Sequence, residues 1–357
     1  MRGKGITYDT GFLSAGTTTR EPFDPEVVRR EMRIIREDLH CNAVRITGGD
    51  PERLKIAATH AADVGLDVWF CPFTNGLTQD ELLAHLADCA EYAERLRRNG
   101  AEVVMFTGSE LSLFTLGFLP GDTLEERLSL IADPFRVRPV IGDVRTRIND
   151  FLRRAVQVVR ARFNGPVSYA SLPLEGVDWA PFDIIASDAA YRSAANAARF
   201  RESIHAFVAQ GRAQGKPVAV TEFGCMTFHG AADTAADVHS IVVWGDDRRA
   251  VRMNGEFVRD EKEQATYLSE LLDVFETEGV DAGFVYTFAR YDLPHRDDPR
   301  VDLDLASRGV VKVLDCQARD LDGRRYPDMP WEPKAAFDAV AGWYAAVRER
   351  PVLGLVP

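Results

Sequence analysis

The sequence is poor in cysteine and carries no excess of positive charge, and each shortage excludes a class of protein. Its five cysteines are scattered over 357 residues without a Cys-x-x-Cys pair, which argues against a disulfide framework and predicts a reducing, cytoplasmic location. The formal net charge is −12. Because phosphate backbones are bound by clustered lysine and arginine, we expect no nucleic acid partner.

Long apolar runs are also missing. No stretch is long enough to cross a bilayer, and the first residues lack the apolar core and cleavage site of an export signal. No glycine-rich phosphate loop follows a strand, and His229, His239 and His295 lack the spacing of a metal-binding motif. We therefore expect no membrane segment, no obligatory cofactor and no metal.

Two hydrophobic runs end in a carboxylate. The first leads from Val103 to Glu110, and the second leads from Pro217 through Glu222 to Gly224. Glutamate is a poor strand former and is costly to bury, so its presence at the end of a buried strand requires a reason. The simplest reason is a pair of catalytic acids.

The hydrophobic periodicity predicts strands that alternate with helices along the whole chain. Strands are predicted at residues 4–10, 43–47, 66–73, 102–107, 167–171, 182–187, 218–222 and 282–288. Helices are predicted at residues 25–39, 51–64, 79–98, 142–162, 197–214, 262–278 and 334–348. Eight such strands predict a closed parallel barrel, so we expect residues 1–357 to form a single (β/α)8 barrel catalytic domain.

Two segments interrupt this alternation. Residues 237–260 contain two strand-like runs around turns and predict a hairpin flap after strand seven. Residues 294–330 are rich in Asp, Arg and Pro and predict a long loop after strand eight. Both follow the carboxyl ends of strands, where barrel enzymes carry their active sites, so both are expected to shape substrate choice.

Cleaving a glycosidic bond requires one acid for the leaving oxygen and a second carboxylate as nucleophile or base, which Glu110 and Glu222 would supply. Most of the chain resembles the clan A-like glycoside hydrolases, (β/α)8 barrels with an acid/base after strand four and a nucleophile at strand seven. The motif Thr221-Glu222-Phe223-Gly224 carries this resemblance. It implies a retaining glycoside hydrolase with Glu222 as nucleophile, Glu110 as acid/base and a small-molecule or oligosaccharide substrate.

The same resemblance implies roles for other residues. Arg45 is similar to the strand-two arginine that keeps the nucleophile ionised, and Tyr191 to the tyrosine that hydrogen-bonds it. Ser109 stands where the family commonly has the asparagine that contacts the sugar 2-hydroxyl. Strand eight lacks the usual tryptophan, which leaves Tyr286, Phe288 or Tyr291 as replacements. We list Tyr286 as the substrate-binding candidate.

Three further candidates come from position alone. Asp9 and Asn75 lie near the ends of strands one and three, where they would bind hydroxyls, although loop solvation or capping is the favoured role for each. Trp244 on the flap is a candidate for stacking on a sugar ring, with ordinary hairpin packing as the alternative. Cys225, close after Glu222, has no identifiable histidine partner and is interpreted as an inert thiol.

Other functions fit the same residues. The two carboxylates would also serve acid/base chemistry on a small metabolite, or the barrel would be a non-catalytic carbohydrate-binding or defence-related protein. Chains similar to this one at residues 302–304 and 326–331 sometimes carry an abortive-infection label, which specifies no mechanism. The non-catalytic alternative for Glu110 and Glu222 is that each caps a helix or pairs with an arginine.

Overall fold

Eight parallel strands close into a barrel in the computed structural model, which describes residues 1–14, 16–234, 238–315 and 324–346. The strands are β1 (Gly3–Asp9), β2 (Ala43–Gly48), β3 (Asp67–Pro72), β4 (Val103–Ser109), β5 (Val167–Ser171), β6 (Ile185–Ser187), β7 (Val218–Phe223) and β8 (Ala282–Val285). Each strand pairs with its neighbours in the sequence, and β8 pairs with β1 to close the barrel. The carboxyl ends of all eight strands therefore meet at one mouth.

Helices pack around the barrel between successive strands. They are α1 (Pro25–Glu37), α2 (Pro51–Asp63), α3 (Gln79–Arg98), α4 (Ile141–Arg160), α5 (Ala197–Gln214), α6 (Glu261–Glu278) and α7 (Ala335–Ala346). Side chains that cap the amino ends fix where several helices begin: Asp24 and Asp50 accept backbone N–H bonds ahead of a proline, and Thr78 forms a capping box with Glu81. Between β5 and β6 there is only a short 3-10 turn, Pro173–Glu175, among the described elements.

Several shorter helices and strands lie around the mouth of the barrel. The short helices are Leu111–Phe114, Leu124–Ile131, Pro134–Val137 and Val238–Ile241, with 3-10 turns at Ala231–Asp233 and Leu303–Ala306. The two-stranded sheets pair Leu13–Ser14 with Thr17–Thr18, Val242–Trp244 with Ala250–Met253, and Val311–Val313 with Trp331–Pro333. None of the helices in the described part of the chain has both the length and the apolar character that crossing a bilayer requires.

The strands divide their side chains between two cores. Residues that face the barrel interior form a small core around Trp69, whose ring centre lies 5.7 Å from that of Phe106 and 4.6 Å from that of Phe284. Residues that face outward join the helices in a larger core. Gly5 is required inside, because a Cβ there would lie 2.3 Å from the ring of Phe284. This aromatic layer fills the barrel below its mouth.

The predicted order of strands and helices is confirmed, and several boundaries differ. Strand β6 is three residues shorter at its start than predicted; ahead of it, the Asp183 carboxylate accepts the N–H of Val167 and the Asp183 N–H donates to the Val167 carbonyl. The parallel ladder of β8 ends at Val285, before the predicted end. The described part of the closing helix ends at Ala346, and residues 347–348 of its predicted span lie outside the described residues.

Both strands that lead to the conspicuous glutamates contain a bulge. From Val220 to Phe223, β7 takes three residue steps while β8 takes two from Gly283 to Val285. From Phe106 to Ser109, β4 takes three steps while β5 takes two. An extra residue reverses the alternation of a strand, so side chains that would face the helices turn into the barrel.

The predicted hairpin after β7 is confirmed by the pairing of Val242–Trp244 with Ala250–Met253, while residues 235–237 at its base lie outside the described residues. The backbone N–H of Met253 donates to Arg300 in the segment after β8, at 2.9 Å. At the tip, Arg248 pairs with Glu125 in the segment after β4. Because β4 and β8 stand on opposite sides of an eight-stranded barrel, the hairpin contacts segments that follow strands on opposite sides of it.

Candidate active site

Glu222 is held at the mouth of the barrel through both of its carboxylate oxygens. Arg45 Nη1 on β2 donates to Oε1 at 2.9 Å, and the Tyr191 hydroxyl donates to Oε2 at 3.0 Å. The residue is only 7% exposed. Burial, followed by the negative charge of Asp188, raises the pKa of Glu222 to about 7, against the opposing effect of Arg45.

Arg45 serves a second carboxylate, that of Asp188 after β6. Its Nη2 lies 3.2 Å from Asp188 Oδ2 and 3.1 Å from the hydroxyl oxygen of Ser109, which itself donates to Asp188 at 2.5 Å. All three side chains are buried. The hydrogen of the Ser109 hydroxyl is therefore already used, and Ser109 forms part of the support for Arg45.

Asp188 was not among the sequence candidates. The signal that singled out Glu110 and Glu222 is present there too, since Asp188 follows Ser187 at the end of a buried strand. The predicted strand 182–187 ends directly before Asp188, so the sequence carried this signal.

Glu110 adopts a left-handed backbone conformation, with φ of 47°, immediately after β4. Its N–H donates to the carbonyl of Ala170 at 2.9 Å, which fixes the residue against β5. Left-handed backbone is uncommon for residues other than glycine and clusters at functional sites. Among the described residues none donates a hydrogen bond to the Glu110 carboxyl group, in contrast to that of Glu222.

The electrostatic surroundings of Glu110 place it near the other carboxylates. Burial raises the pKa of Glu110 well above its ordinary value, and the charges of Glu222 and then Asp188 raise it further. The structure brings together one carboxylate that is held by hydrogen bonds and one whose pKa burial and neighbouring charge raise.

Side chains of the β5 region support the turn that carries Glu110. The Tyr169 hydroxyl accepts the N–H of Leu111 at 2.8 Å, and the buried Glu175 carboxylate accepts the N–H of Ser112 at 3.0 Å. These bonds satisfy backbone donors that would otherwise be orphaned at the start of the short helix after Glu110. They hold the turn in place independently of any substrate.

Tyr286 is the one of the three strand-eight candidates that lies beside Glu222. Burial raises the pKa of Tyr286 to about 12, with Arg290 opposing and the charge of Glu222 adding to the rise. Phe288 instead packs on Trp331 at a ring separation of 5.2 Å, and Tyr291 donates to Glu31 at 2.6 Å. Phe288 and Tyr291 therefore make their contacts outside the mouth.

The remaining candidates lie at the rim and have structural partners. Asp9 accepts the N–H of Gly11 at 2.8 Å and the hydroxyl of Thr19, and burial raises its pKa. Asn75 donates to the Ser14 hydroxyl at 3.3 Å. Trp244 is half-buried in the hairpin and packs against the large core. Binding of sugar by these three residues stays a prediction.

Arg308, in the segment after β8, was also missed by sequence analysis. Its guanidinium lies over the ring of Tyr191, 5.1 Å from the ring centre, and its carbonyl accepts the N–H of Thr287. Arg308 therefore joins the edge of the site through Tyr191. Nothing in the periodicity of its loop distinguishes this arginine from its neighbours.

The surroundings of Cys225 and of a group around His229 determine what chemistry each can do. Burial raises the pKa of the Cys225 thiol to about 12, which keeps it in the unreactive thiol form. His229, Asp260 and Glu263 bring possible metal-ligand atoms within 4.8 Å of one another. However, Asp260 caps α6 through the Glu263 N–H, so hydrogen bonding accounts for this group without an ion.

Two solved structures share this architecture at low sequence identity. A GH113 β-1,4-mannanase gives a TM-score of 0.60 at 16% identity over 97% of this chain and 99% of that chain. The GH113 β-mannanase from Alicyclobacillus acidocaldarius in complex with ManMIm gives 0.58 at 15% identity, over 96% and 97% respectively. The sequence matches no family model and no curated protein. The likeness confirms the predicted (β/α)8 barrel, the fold of the clan A-like glycoside hydrolases that the motifs resemble.

Proposed function

We propose that the protein is a retaining glycoside hydrolase that cleaves an O-glycosidic bond by double displacement. The observation that supports this most is the contrast between its two glutamates. Glu222 is hydrogen-bonded through both oxygens by Arg45 and Tyr191, which suits a nucleophile that must stay ionised and oriented. Burial raises the pKa of Glu110 well above its ordinary value, which suits a general acid.

In the first step, Glu222 attacks the anomeric carbon and forms a glycosyl ester while the bond from that carbon to the leaving oxygen breaks. Glu110 transfers its proton to the leaving oxygen, so the aglycone departs as an alcohol. Arg45 and Tyr191 orient the attacking carboxylate throughout this step. Glu110 acts from the left-handed turn that follows β4.

In the second step, the Glu110 carboxylate accepts a proton from water while the water oxygen attacks the same anomeric carbon. The ester bond to Glu222 breaks, the sugar is released with its original configuration, and both glutamates regain their starting protonation states. No metal is needed for either step.

The substrate is a small glycoside or an oligosaccharide in this proposal. Tyr286, Trp244, Asn75 and Asp9 are the candidates for sugar contacts, and the charge of Glu222 acts on Tyr286. Because the two similar structures are named as mannanases, aryl β-mannosides and manno-oligosaccharides are the first compounds to try.

The deciding experiment is a screen of aryl glycosides against the wild-type protein, Glu222→Gln and Glu110→Gln. We expect aglycone release by the wild type and a loss of about 1,000-fold or more in Glu222→Gln. Azide should restore aglycone release to Glu110→Gln on substrates with a good leaving group, because the first step then needs no acid and azide needs no base. A glycosyl ester on Glu222, trapped with a 2-fluoro glycoside and found by peptide mass spectrometry, would identify the nucleophile.

The matched control is Glu37→Gln, since Glu37 is an exposed glutamate at the end of α1, away from the mouth. It should retain wild-type rates. Equal rates for the wild type and Glu222→Gln on a cleaved substrate would contradict the mechanism. A broad panel that the folded wild type leaves uncleaved would contradict the function.

One observation favours a second candidate, acid/base chemistry on a small metabolite. The Ser109 hydroxyl is bonded to Asp188 and Arg45, so it does not offer a sugar the contact that the asparagine of the family gives. A protein that leaves all glycosides intact but catalyses isotope exchange at a carbon acid, lost in Glu222→Gln, would support this alternative.

A further inference from the structure

Three phenylalanine rings, which we call the phenyl cluster, meet at the mouth of the barrel. Phe12 follows β1, Phe73 follows β3, and Phe114 ends the short helix after β4. Their ring centres lie 4.9 Å apart for Phe12 and Phe73, 5.2 Å for Phe12 and Phe114, and 4.9 Å for Phe73 and Phe114. All three side chains are half-buried, and they belong to neither of the two cores. Contiguous apolar surface of this kind is typical of a binding site.

The phenyl cluster adjoins the end of β2, the strand that carries Arg45. That strand lies between β1 and β3 and is followed by Gly49, which has no side chain to separate the segments on either side. A Cβ at Gly49 would lie 3.5 Å from the Leu13 side chain and 3.5 Å from the Phe73 carbonyl oxygen. The segments after β1 and β3 therefore both approach the strand whose arginine binds Glu222.

The phenyl cluster is also joined to the turn that carries Glu110. Phe114 lies one helical turn after Glu110, and its N–H donates to the Glu110 carbonyl at 3.2 Å. The Phe114 carbonyl accepts the N–H of Gly76 in the segment after β3 at 2.8 Å. The N–H of Phe12 donates to the Thr19 hydroxyl at 2.8 Å. These backbone bonds hold the rings in place before a ligand arrives, which lowers the entropic cost of binding.

The place of the phenyl cluster indicates which part of a substrate would contact it. In the proposed mechanism Glu110 gives its proton to the leaving oxygen, so the group bonded to that oxygen departs beside this turn. The three rings carry no hydrogen-bonding atom, so they would leave the hydroxyl groups of a departing sugar without partners. An alkyl or aryl group instead gains from the removal of apolar surface from water on both sides.

We propose that the phenyl cluster is the subsite for the leaving group and that it binds an apolar aglycone. The substrate class is then an alkyl or aryl glycoside rather than a chain of sugars. This inference rests on the proposed glycoside hydrolase function and adds the class of the leaving group to it.

The test compares propyl, butyl, pentyl and hexyl glycosides of the sugar that the aryl glycoside screen identifies. These leaving alcohols differ in apolar surface and have the same reacting group. For the wild type we expect kcat/KM to rise by roughly threefold to fourfold with each added methylene, the gain of burying one such group. Phe114→Ala should flatten this rise. Phe12→Ala, which leaves the helix after Glu110 unchanged, should flatten it as well.

The control is Phe135→Ala, since Phe135 is a phenylalanine that is 90% exposed on the short helix Pro134–Val137. It should keep the full dependence on chain length. A wild type that cleaves all four glycosides at one rate would overturn the apolar subsite and leave the hydrolase function standing. An equal loss for every chain length in Phe114→Ala and Phe12→Ala would show that the rings only support the Glu110 turn, which also overturns the inference. Oligosaccharides cleaved at least about tenfold faster than the hexyl glycoside would overturn it in favour of a leaving sugar.

Binding of a free alcohol separates failure of this inference from failure of the proposed function. Ligand-observed NMR would measure the affinity for 2-phenylethanol. An affinity that falls at least about fivefold in Phe114→Ala and stays unchanged in Phe135→Ala would support the subsite even if no glycoside is cleaved. Cleavage of glycosides with neither alcohol binding nor dependence on chain length would leave the hydrolase and remove the subsite. Absence of both turnover and alcohol binding would overturn both.

Discussion

The hydroxyl of Ser109 donates a 2.5 Å hydrogen bond to the carboxylate of Asp188, at the base of the candidate active site. Asp188 in turn shares the guanidinium of Arg45 with Glu222. A buried arginine that serves two carboxylates couples the ionisation of one to the charge of the other. This coupling leads to the first two predictions.

Replacing Asp188 with asparagine should move the acidic limb of the pH dependence of kcat/KM to lower pH. Burial and then the Asp188 charge raise the pKa of Glu222 to about 7, so removing that charge lowers the pKa and keeps the nucleophile ionised in more acidic solution. A shift of the order of one pH unit is expected. The pH profile of kcat/KM for an aryl glycoside substrate measures it, with the wild-type acidic limb near pH 7. An acidic limb that stays in place would show that Asp188 does not act on Glu222.

Replacing Arg45 with methionine should impair both stability and activity. The change leaves Asp188 and Glu222 buried without their shared cation, which costs about 3–5 kcal/mol in the free energy of unfolding. The nucleophile also loses the group that favours its ionised form, so kcat should fall roughly 100-fold or more at neutral pH. Denaturant titration and initial rates measure the two effects.

Arg45→Lys keeps the charge but loses the planar fork that reaches both carboxylates, so it should recover only part of the stability. A variant Arg45→Met as stable as the wild type at pH 8 would contradict the described network.

Replacing Glu110 with glutamine should stabilise the fold at alkaline pH. A carboxyl group whose pKa is raised by folding binds its proton more tightly in the folded state, so it contributes stability below its unfolded pKa of about 4.3. That contribution disappears as the pH rises through the raised value. Thermal unfolding should therefore show the gain of Glu110→Gln over wild type growing from pH 5 to pH 9, to the order of 1 kcal/mol. A gain that shrinks with rising pH would have the wrong sign.

Replacing Glu31 with alanine should destabilise the protein without touching the mouth. The buried Glu31 carboxylate accepts bonds from Arg20, Trp331 and two tyrosines, which joins α1 to the segments after β1 and β8. Removing it leaves the Arg20 charge buried and unpaired, at a cost of about 3–5 kcal/mol. Denaturant unfolding measures this cost. The exposed Glu37→Ala on the same helix should change stability by less than about 0.5 kcal/mol.

Much of the fold could be predicted from the period of the hydrophobic residues and from the signals that cap helices. The predicted bounds of the helices at Gln79–Arg98 and Ala197–Gln214 and of the strand at Val167–Ser171 agree with the structure residue for residue. Strong start and stop signals flank these elements, such as the Thr78 capping box and the left-handed Gly215. The closure of eight strands followed from their number.

The inward orientation of the site residues could not be predicted from the alternation of hydrophobic residues along the strands. Simple alternation from Val220, which faces the helices, would turn Glu222 to the helices as well, and only the bulge between Val220 and Phe223 turns it inward. Register depends on neighbouring strands, which one sequence does not show. Arg308 has no such signal in the sequence, since its place at the site depends on contacts with residues distant in the chain, whereas Asp188 carries the same strand-end signal as the two glutamates.

At the bottom of the mouth, the acidic side chains described above outnumber the basic ones. Glu110, Glu222 and Asp188 lie in one electrostatic neighbourhood, and Arg45 is the cation that both Glu222 and Asp188 contact. Such a place attracts positive charge as it develops on an anomeric carbon and its ring oxygen. A sugar mimic that carries a permanent positive charge at this point would be bound more tightly than the uncharged sugar it imitates.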